Sequence, residues 1–131
     1  MKTKTLIVAA LVMLSACGSD NPVDPLAGFE PQVNNATDSF QLQASDVTDV
    51  GTVLQYTWTN TGNMASVDHS TTTAAGAAGV VIRDADGTTV YSQGLEPSLN
   101  EDTAAGTTGT WTIVLTLTDY SGTLNFRVQK K

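Results

Sequence analysis

The chain is poor in the residues on which most protein chemistry depends. Among 131 residues there is one cysteine and one histidine. One cysteine excludes an internal disulfide framework and a multi-cysteine zinc site. One histidine excludes a centre built on several imidazoles. Lysine and arginine total 6 against 13 aspartates and glutamates, a formal net charge of −7. That balance speaks against nucleic acid as a partner, because clustered basic charge is needed to displace counterions from phosphates. Aromatic residues are 6% and charged residues 15% of the chain. Glycine, serine and threonine fill the space, a profile that fits an exported β-protein.

The start of the chain has its own logic. Met1-Lys2-Thr3-Lys4 is basic, residues 6–14 form an apolar run, and Ser15 and Ala16 are small. This is the three-part layout of a secretory signal. The run is too short to span a membrane, which takes about 20 residues. Leu14-Ser15-Ala16-Cys17 resembles the lipobox of bacterial lipoproteins, and Cys17 is the lone cysteine. The resemblance implies a signal peptide over 1–16, cleavage before Cys17, and a covalent lipid on its sulfur and new amino group. Two or three acyl chains give stable anchoring, at about 0.8 kcal/mol per buried methylene. The bilayer is then a partner through acylated Cys17. Gly18 after the cysteine implies transport to the outer membrane of a Gram-negative cell rather than retention at the inner one. Loss of Lys2 and Lys4 would leave 4 basic and 13 acidic side chains, and no lysine or arginine occurs between Cys17 and Arg83. A polybasic lipid-binding patch is therefore absent from that stretch.

Residues 17–39 read as the lipidated N-terminus and a disordered, acidic linker. Pro22, Pro25 and Pro31 lie here and no period of 2 or 3.6 is present. An alternative is that Phe29 and Val33 dock as an irregular first strand. The domain is expected over 40–131.

From Phe40 the alternation is that of strands. Phe40, Leu42 and Ala44 form one apolar row, and Leu54, Tyr56 and Trp58 another, with a plausible turn over 47–51. A hairpin pairing Leu42 with Tyr56 and Phe40 with Trp58 follows. A second hairpin joins 80–83 to 88–91 through Asp84-Ala85-Asp86-Gly87. A three-residue loop over Ala85, Asp86 and Gly87 would set Ile82 against Val90 and leave Val81 and Tyr91 on the outer face. A third hairpin turns at Asp119-Tyr120-Ser121-Gly122, setting Leu117 against Leu124, Leu115 against Phe126 and Ile113 against Val128. Residues 60–79, apart from a possible short strand at 67–70, and 94–109 read as long loops. No helical stripe follows the signal. The fold expected is all-β: a two-sheet antiparallel sandwich, jelly-roll-like or immunoglobulin-like. The stretch from Gly109 to Phe126 resembles the closing hairpin of secreted β-sandwich accessory modules, the pre-peptidase C-terminal domain and the convertase P-domain. That resemblance implies an accessory domain without catalysis and brings no catalytic residues.

Candidate chemistry is sparse. Asp68-His69-Ser70 holds the three side-chain types of a hydrolase triad, but neighbours on a strand point to opposite faces. A metal role for His69 would need ligands from distant loops. Asp84 and Asp86 resemble the opening of a calcium loop without its remaining ligands, and are also good hairpin chemistry. Glu96, Glu101 and Asp102 could add carboxylates if their loop folded nearby. Trp58 and Trp111 are expected in the core. Tyr91, on the outer face, and Tyr120, at a hairpin tip, are the candidate ligand-binding aromatics. The expectation is a lipid-anchored, non-catalytic envelope module that binds or scaffolds an envelope protein or glycan. The second reading is a carbohydrate-binding or calcium-dependent adhesion module. Apart from the lipid, and calcium on the second reading, no cofactor is expected.

Overall fold

The computed structural model describes residues 26–131. The signal, the lipobox and Cys17 lie outside the described residues. No described helix is long and apolar enough to cross a membrane. One 3-10 turn, Ala27–Phe29, precedes seven strands: β1 (Gln32–Ala36), β2 (Ser39–Asn60), β3 (Ala65–His69), β4 (Thr72–Arg83), β5 (Thr89–Gly94), β6 (Leu99–Asp102) and β7 (Gly109–Lys130). All pairings are antiparallel. The fold is all-β, as its alternation requires.

The backbone of the fold is one ladder. β2 and β7 are each 22 residues long and pair from Ser39 opposite Gln129 to Asn60 opposite Gly109. The ladder slips at Ala44/Val47, Val47/Val50 and Val50/Thr52. Asp46 (φ 54°), Asp49 (φ 51°), Asp119 (φ 43°) and Gly122 (φ 149°) sit at these slips. Bulges bend a strand pair and sharpen its twist, and here they fold the ladder over on itself. Phe40 and Tyr56 prove the fold-over. Their rings lie 5.2 Å apart, whereas sixteen residues of straight strand would separate them by about 50 Å.

The result is two layers that share β2 and β7. The first contains β1, the first half of β2, the second half of β7, β3 and β6. The second contains the second half of β2, the first half of β7, β4 and β5. Phe40, Leu42, Phe126 and Val128 from one layer meet Trp58, Ile82, Trp111, Ile113 and Leu115 from the other in one buried cluster. Trp58 and Trp111 are ladder partners, edge to face at 5.9 Å. Each indole N–H donates to a backbone carbonyl, Trp58 to Ala36 at the end of β1 at 3.0 Å and Trp111 to Thr107 in the loop before β7 at 2.7 Å. A buried aromatic with a polar handle thus pins each neighbouring segment.

Several expectations are corrected here. The first and third hairpins do not form. Both would-be turns are bulges of through-running strands, because aspartate and glycine serve a bulge as well as a turn. The stretch from Gly109 to Phe126 is therefore one strand, not a closing hairpin. The second hairpin does form, with the three-residue loop: the Asp84 N–H donates to the Thr88 carbonyl at 2.9 Å and Gly87 has φ 85°. Its register then slips, so Ile82 faces Tyr91 rather than Val90. The run 74–79 is strand, not loop, since pairing with β7 overrides the low strand preference of alanine and glycine. Residues 94–109 also contain β6. Part of the expected linker belongs to the domain. β1 pairs with β2 from Gln32 opposite Gln43 to Ala36 opposite Ser39, and Leu26 is fully buried. Phe29 packs against the core while Val33 stays 40% exposed, so only half of the expected docking pair docks.

Candidate functional site

Alternation sends every second residue of the first layer outward, and register lines those residues up. Asn34 of β1 lies opposite Gln41 of β2, Gln41 opposite Arg127 of β7, and Arg127 opposite Asp68 of β3. A second row runs Gln32, Gln43, Asn125. Neighbouring strands lie about 4.8 Å apart, so this is a nearly continuous sheet of amides around one charge pair. The Arg127 guanidinium meets the Asp68 carboxylate at 3.2 Å, with both side chains nearly half exposed. Such a pair is worth about 0–1 kcal/mol, and it leaves the face close to neutral. The Asn125 side-chain amide donates to Ser70 Oγ at 3.1 Å. Gln41, Asp68, Ser70, Asn125 and Arg127 line a shallow depression of about 160 Å³. A second, of about 390 Å³, lies over Pro31, Gln32, Val33, Asn34 and Gln43 and shares Gln41. Both are open, so a ligand would rest on this face rather than inside it. Planar amides each offer two donors and an acceptor, suited to hydroxyls or to a peptide backbone.

The residues singled out from sequence sit elsewhere. Tyr91 is buried, not on the outer face. The slip after Ile82 turns both Val90 and Tyr91 inward, which a strict two-residue period cannot anticipate. Tyr120 is fully buried, not at a tip, and its hydroxyl donates to the Thr72 carbonyl at 3.1 Å. Neither offers a contact surface. Burial raises the Tyr120 pKa.

His69 points inward while Asp68 and Ser70 face out, so the three do not converge. The buried imidazole meets Tyr91 instead, Nε2 to Oη at 3.2 Å, and the Tyr91 hydroxyl donates to Glu101 Oε2 at 3.3 Å. With that proton committed to Glu101, Nε2–H must be the donor to Tyr91. Nδ1 is left buried without a partner. Burial first, then the Glu101 charge and hydrogen bond, push the Tyr91 hydroxyl up to about 12. This chain ties β3, β5 and β6 together across the layers.

Asp84 and Asp86 build a turn. Asp84 Oδ1 accepts the N–H of Asp86 at 3.0 Å and of Thr88 at 2.9 Å, and Oδ2 that of Thr107 at 2.9 Å. Those bonds, Thr107 foremost, hold its carboxyl below the usual range. Asp86 Oδ2 accepts the Thr107 hydroxyl at 2.6 Å. Glu96 faces the Ala78 N–H, and Asp102 pairs with Lys131. Among the described residues no three histidine, cysteine, aspartate or glutamate side chains gather as metal ligands.

Sequence reasoning missed the amide face. Its members were visible as the polar halves of alternating strands, but which rows adjoin depends on register with partners as distant in sequence as Gln41 and Arg127.

No known protein-family model matches this sequence, and no curated protein does. Among solved structures, the chain is similar to one in the crystal structure of accessory secretory protein 1, 2 and 3 in Streptococcus pneumoniae. The TM-score is 0.40 at 10% identity, over 85% of this chain and 92% of that one. It is also similar to part of a structure of infectious bursal disease virus Gt strain, with TM-score 0.29 and 13% identity, over 96% of this chain and 34% of that one. Likenesses this loose say nothing of function.

Proposed function

We propose that the chain is a non-catalytic binding or scaffolding module of the bacterial envelope, held to a membrane by lipid on Cys17, with the amide face of its first layer as the contact surface. The observation that carries the binding part is the row Asn34, Gln41, Arg127, Asp68, which four different strands bring to one open face. Asp68, His69 and Ser70 diverge, which supports a binding role over hydrolysis. The lipobox Leu14 to Cys17 supports the anchor.

The partner is an envelope protein or glycan. Two measurements test the proposal. Cys17→Ala should move the chain from the membrane pellet to the soluble fraction. Full-length wild type should retain a component of envelope extract that Arg127→Glu with Gln41→Ala releases. Retention of Cys17→Ala in the pellet removes the anchor. Equal capture by both chains removes the face.

A further inference from the structure

The domain begins closer to Cys17 than its first alternating strand suggests. Leu26 is fully buried in the core cluster, and its carbonyl accepts the Phe29 N–H at 2.9 Å to start the 3-10 turn. Cys17 and Leu26 are nine residue steps apart, which reach about 30 Å at most, whatever path they take. A domain beginning at Phe40 would leave a reach of about 75 Å.

The chain also enters the domain at one particular end. β1 runs antiparallel to β2 with Gln32 opposite Gln43, so the residues before Gln32 lie on the side of Ser45. Phe29, Glu30, Gln32, Gln43 and Ser45 line one depression there, and the 3-10 turn packs on β2. This is where the ladder starts to bend, with its slips at Ala44/Val47, Val47/Val50 and Val50/Thr52. The opposite end carries the last rung, Asn60 opposite Gly109, and the loop between β4 and β5.

We propose that the bent corner is the end of the domain that faces the bilayer, so that the strands stand away from the lipid and the amide face rises beside it. The inference rests on lipidation of Cys17. Reach argues for it. To rest on its far end, the domain would need the nine-step tether to run back along β2. The eight steps from Thr52 to Asn60 alone span about 27 Å, and the loops beyond must still clear the surface. Charge then decides how the corner sits. Glu30, Asp46, Asp49 and Asp119 are all exposed at this end. Arg127, Lys130 and Lys131 each meet a carboxylate elsewhere, and Arg83 ends β4 at the far end. An anionic headgroup layer repels such a corner over a Debye length of about 8 Å at physiological salt. The domain is thus held near the lipid and kept off it. Tether and strand together reach about 60 Å, so a partner of the amide face must come that close to the bilayer.

Energy transfer from protein to lipid tests this. Thr48 is exposed at the corner and Ala85 at the far loop. Full-length, acylated Thr48→Cys and Ala85→Cys chains take a donor dye on the new thiol, because the Cys17 sulfur is occupied. Each is inserted into the outer leaflet of phosphatidylcholine vesicles with acceptor-labelled phosphatidylethanolamine headgroups. Transfer should be strong from the corner label and near background from the far label. An insertion of about 30 glycine and serine residues after Gly18 should erode that difference, since the reach of a flexible chain grows with the square root of its length. With phosphatidylglycerol added, transfer from the corner label should fall at low salt and recover at about 1 M, where the Debye length is about 3 Å. Equal transfer from both labels, more from the far label, or a rise at low salt would overturn the proposal. Failure of both chains to float with the vesicles would remove the lipid anchor and the orientation with it, which sets the two failures apart.

Discussion

Phe40 and Tyr56 touch at 5.2 Å between ring centroids although one strand carries both. Each half of β2 is thus the other's core wall, and β7 runs beside it through the same bend. The two layers cannot separate without breaking the long ladder, so folding should be a single event.

Phe40→Ala should destabilise the protein by about 3–5 kcal/mol, the usual cost of removing a buried phenylalanine. Both layers should still melt together. Urea titrations followed by tryptophan fluorescence and by circular dichroism should give one midpoint. Two separated midpoints would show that the layers fold independently.

Glycine matters at the corner more than at the turn. An alanine Cβ at Gly122 would overlap the Thr72 carbonyl oxygen and lie 2.8 Å from the Tyr120 hydroxyl, at φ 149°. At Gly87, φ 85°, the Cβ would meet nothing within 4 Å. Gly87→Ala should cost about 1–2 kcal/mol, the left-handed penalty alone. Gly122→Ala should cost more than about 3 kcal/mol, because the Thr72 backbone must also shift. Denaturant midpoints for the two variants give the order, and equal costs would refute the corner geometry.

The acid limb of stability should pass through Asp84. Backbone N–H bonds, Thr107's first, lower its folded pKa below 3.8. A group so depressed stabilises above its unfolded pKa, and that contribution is lost as pH falls through the folded value. Asp38, lowered chiefly by the Thr61 N–H, acts in the same window. Asp84→Asn should flatten the loss of melting temperature below about pH 4 without abolishing it. Millimolar calcium should leave the wild-type midpoint unchanged, since the Asp84 oxygens are already engaged. A calcium-dependent rise would show that this turn can be rebuilt around an ion.

Tyr91 should govern the alkaline limb. Its pKa is raised from 10.0 to about 12, by burial first and then by Glu101. Its contribution is complete below pH 10, where folded and unfolded states are both protonated, and is lost as pH rises towards 12. Tyr91→Phe should flatten that decline. At neutral pH it should cost about 1–3 kcal/mol, because buried Nε2 of His69 loses its partner. Ultraviolet titration of the wild type should show tyrosines ionising above the ordinary value, and Tyr91→Phe should remove one of them while buried Tyr120 keeps its raised value.

How far the chain could be read without coordinates differs from segment to segment. The inward rows Phe40-Leu42-Ala44 and Trp111-Ile113-Leu115-Leu117 were legible, because burial of one strand face imposes a period of two. The Ala85-Asp86-Gly87 loop was legible because glycine at positive φ is a local requirement. Tyr91 was misplaced by one bulge and Tyr120 by another, and a bulge changes the face of every residue beyond it. The amide face was invisible as a surface, since Gln41, Asp68 and Arg127 are neighbours only through register.

The sequence by itself determined that the chain makes strands, which side of most of them is oily, and that few residues are available for chemistry. It did not determine whether Asp49-Val50-Gly51 and Asp119 to Gly122 reverse the chain or bend it. A tight turn and a corner bulge ask the same backbone freedom of the same residues. The choice falls to pairing energy summed along 22 residues of β2 and β7, and to Phe40 meeting Tyr56 across the closed corner. Those contacts exist only once the whole molecule is assembled.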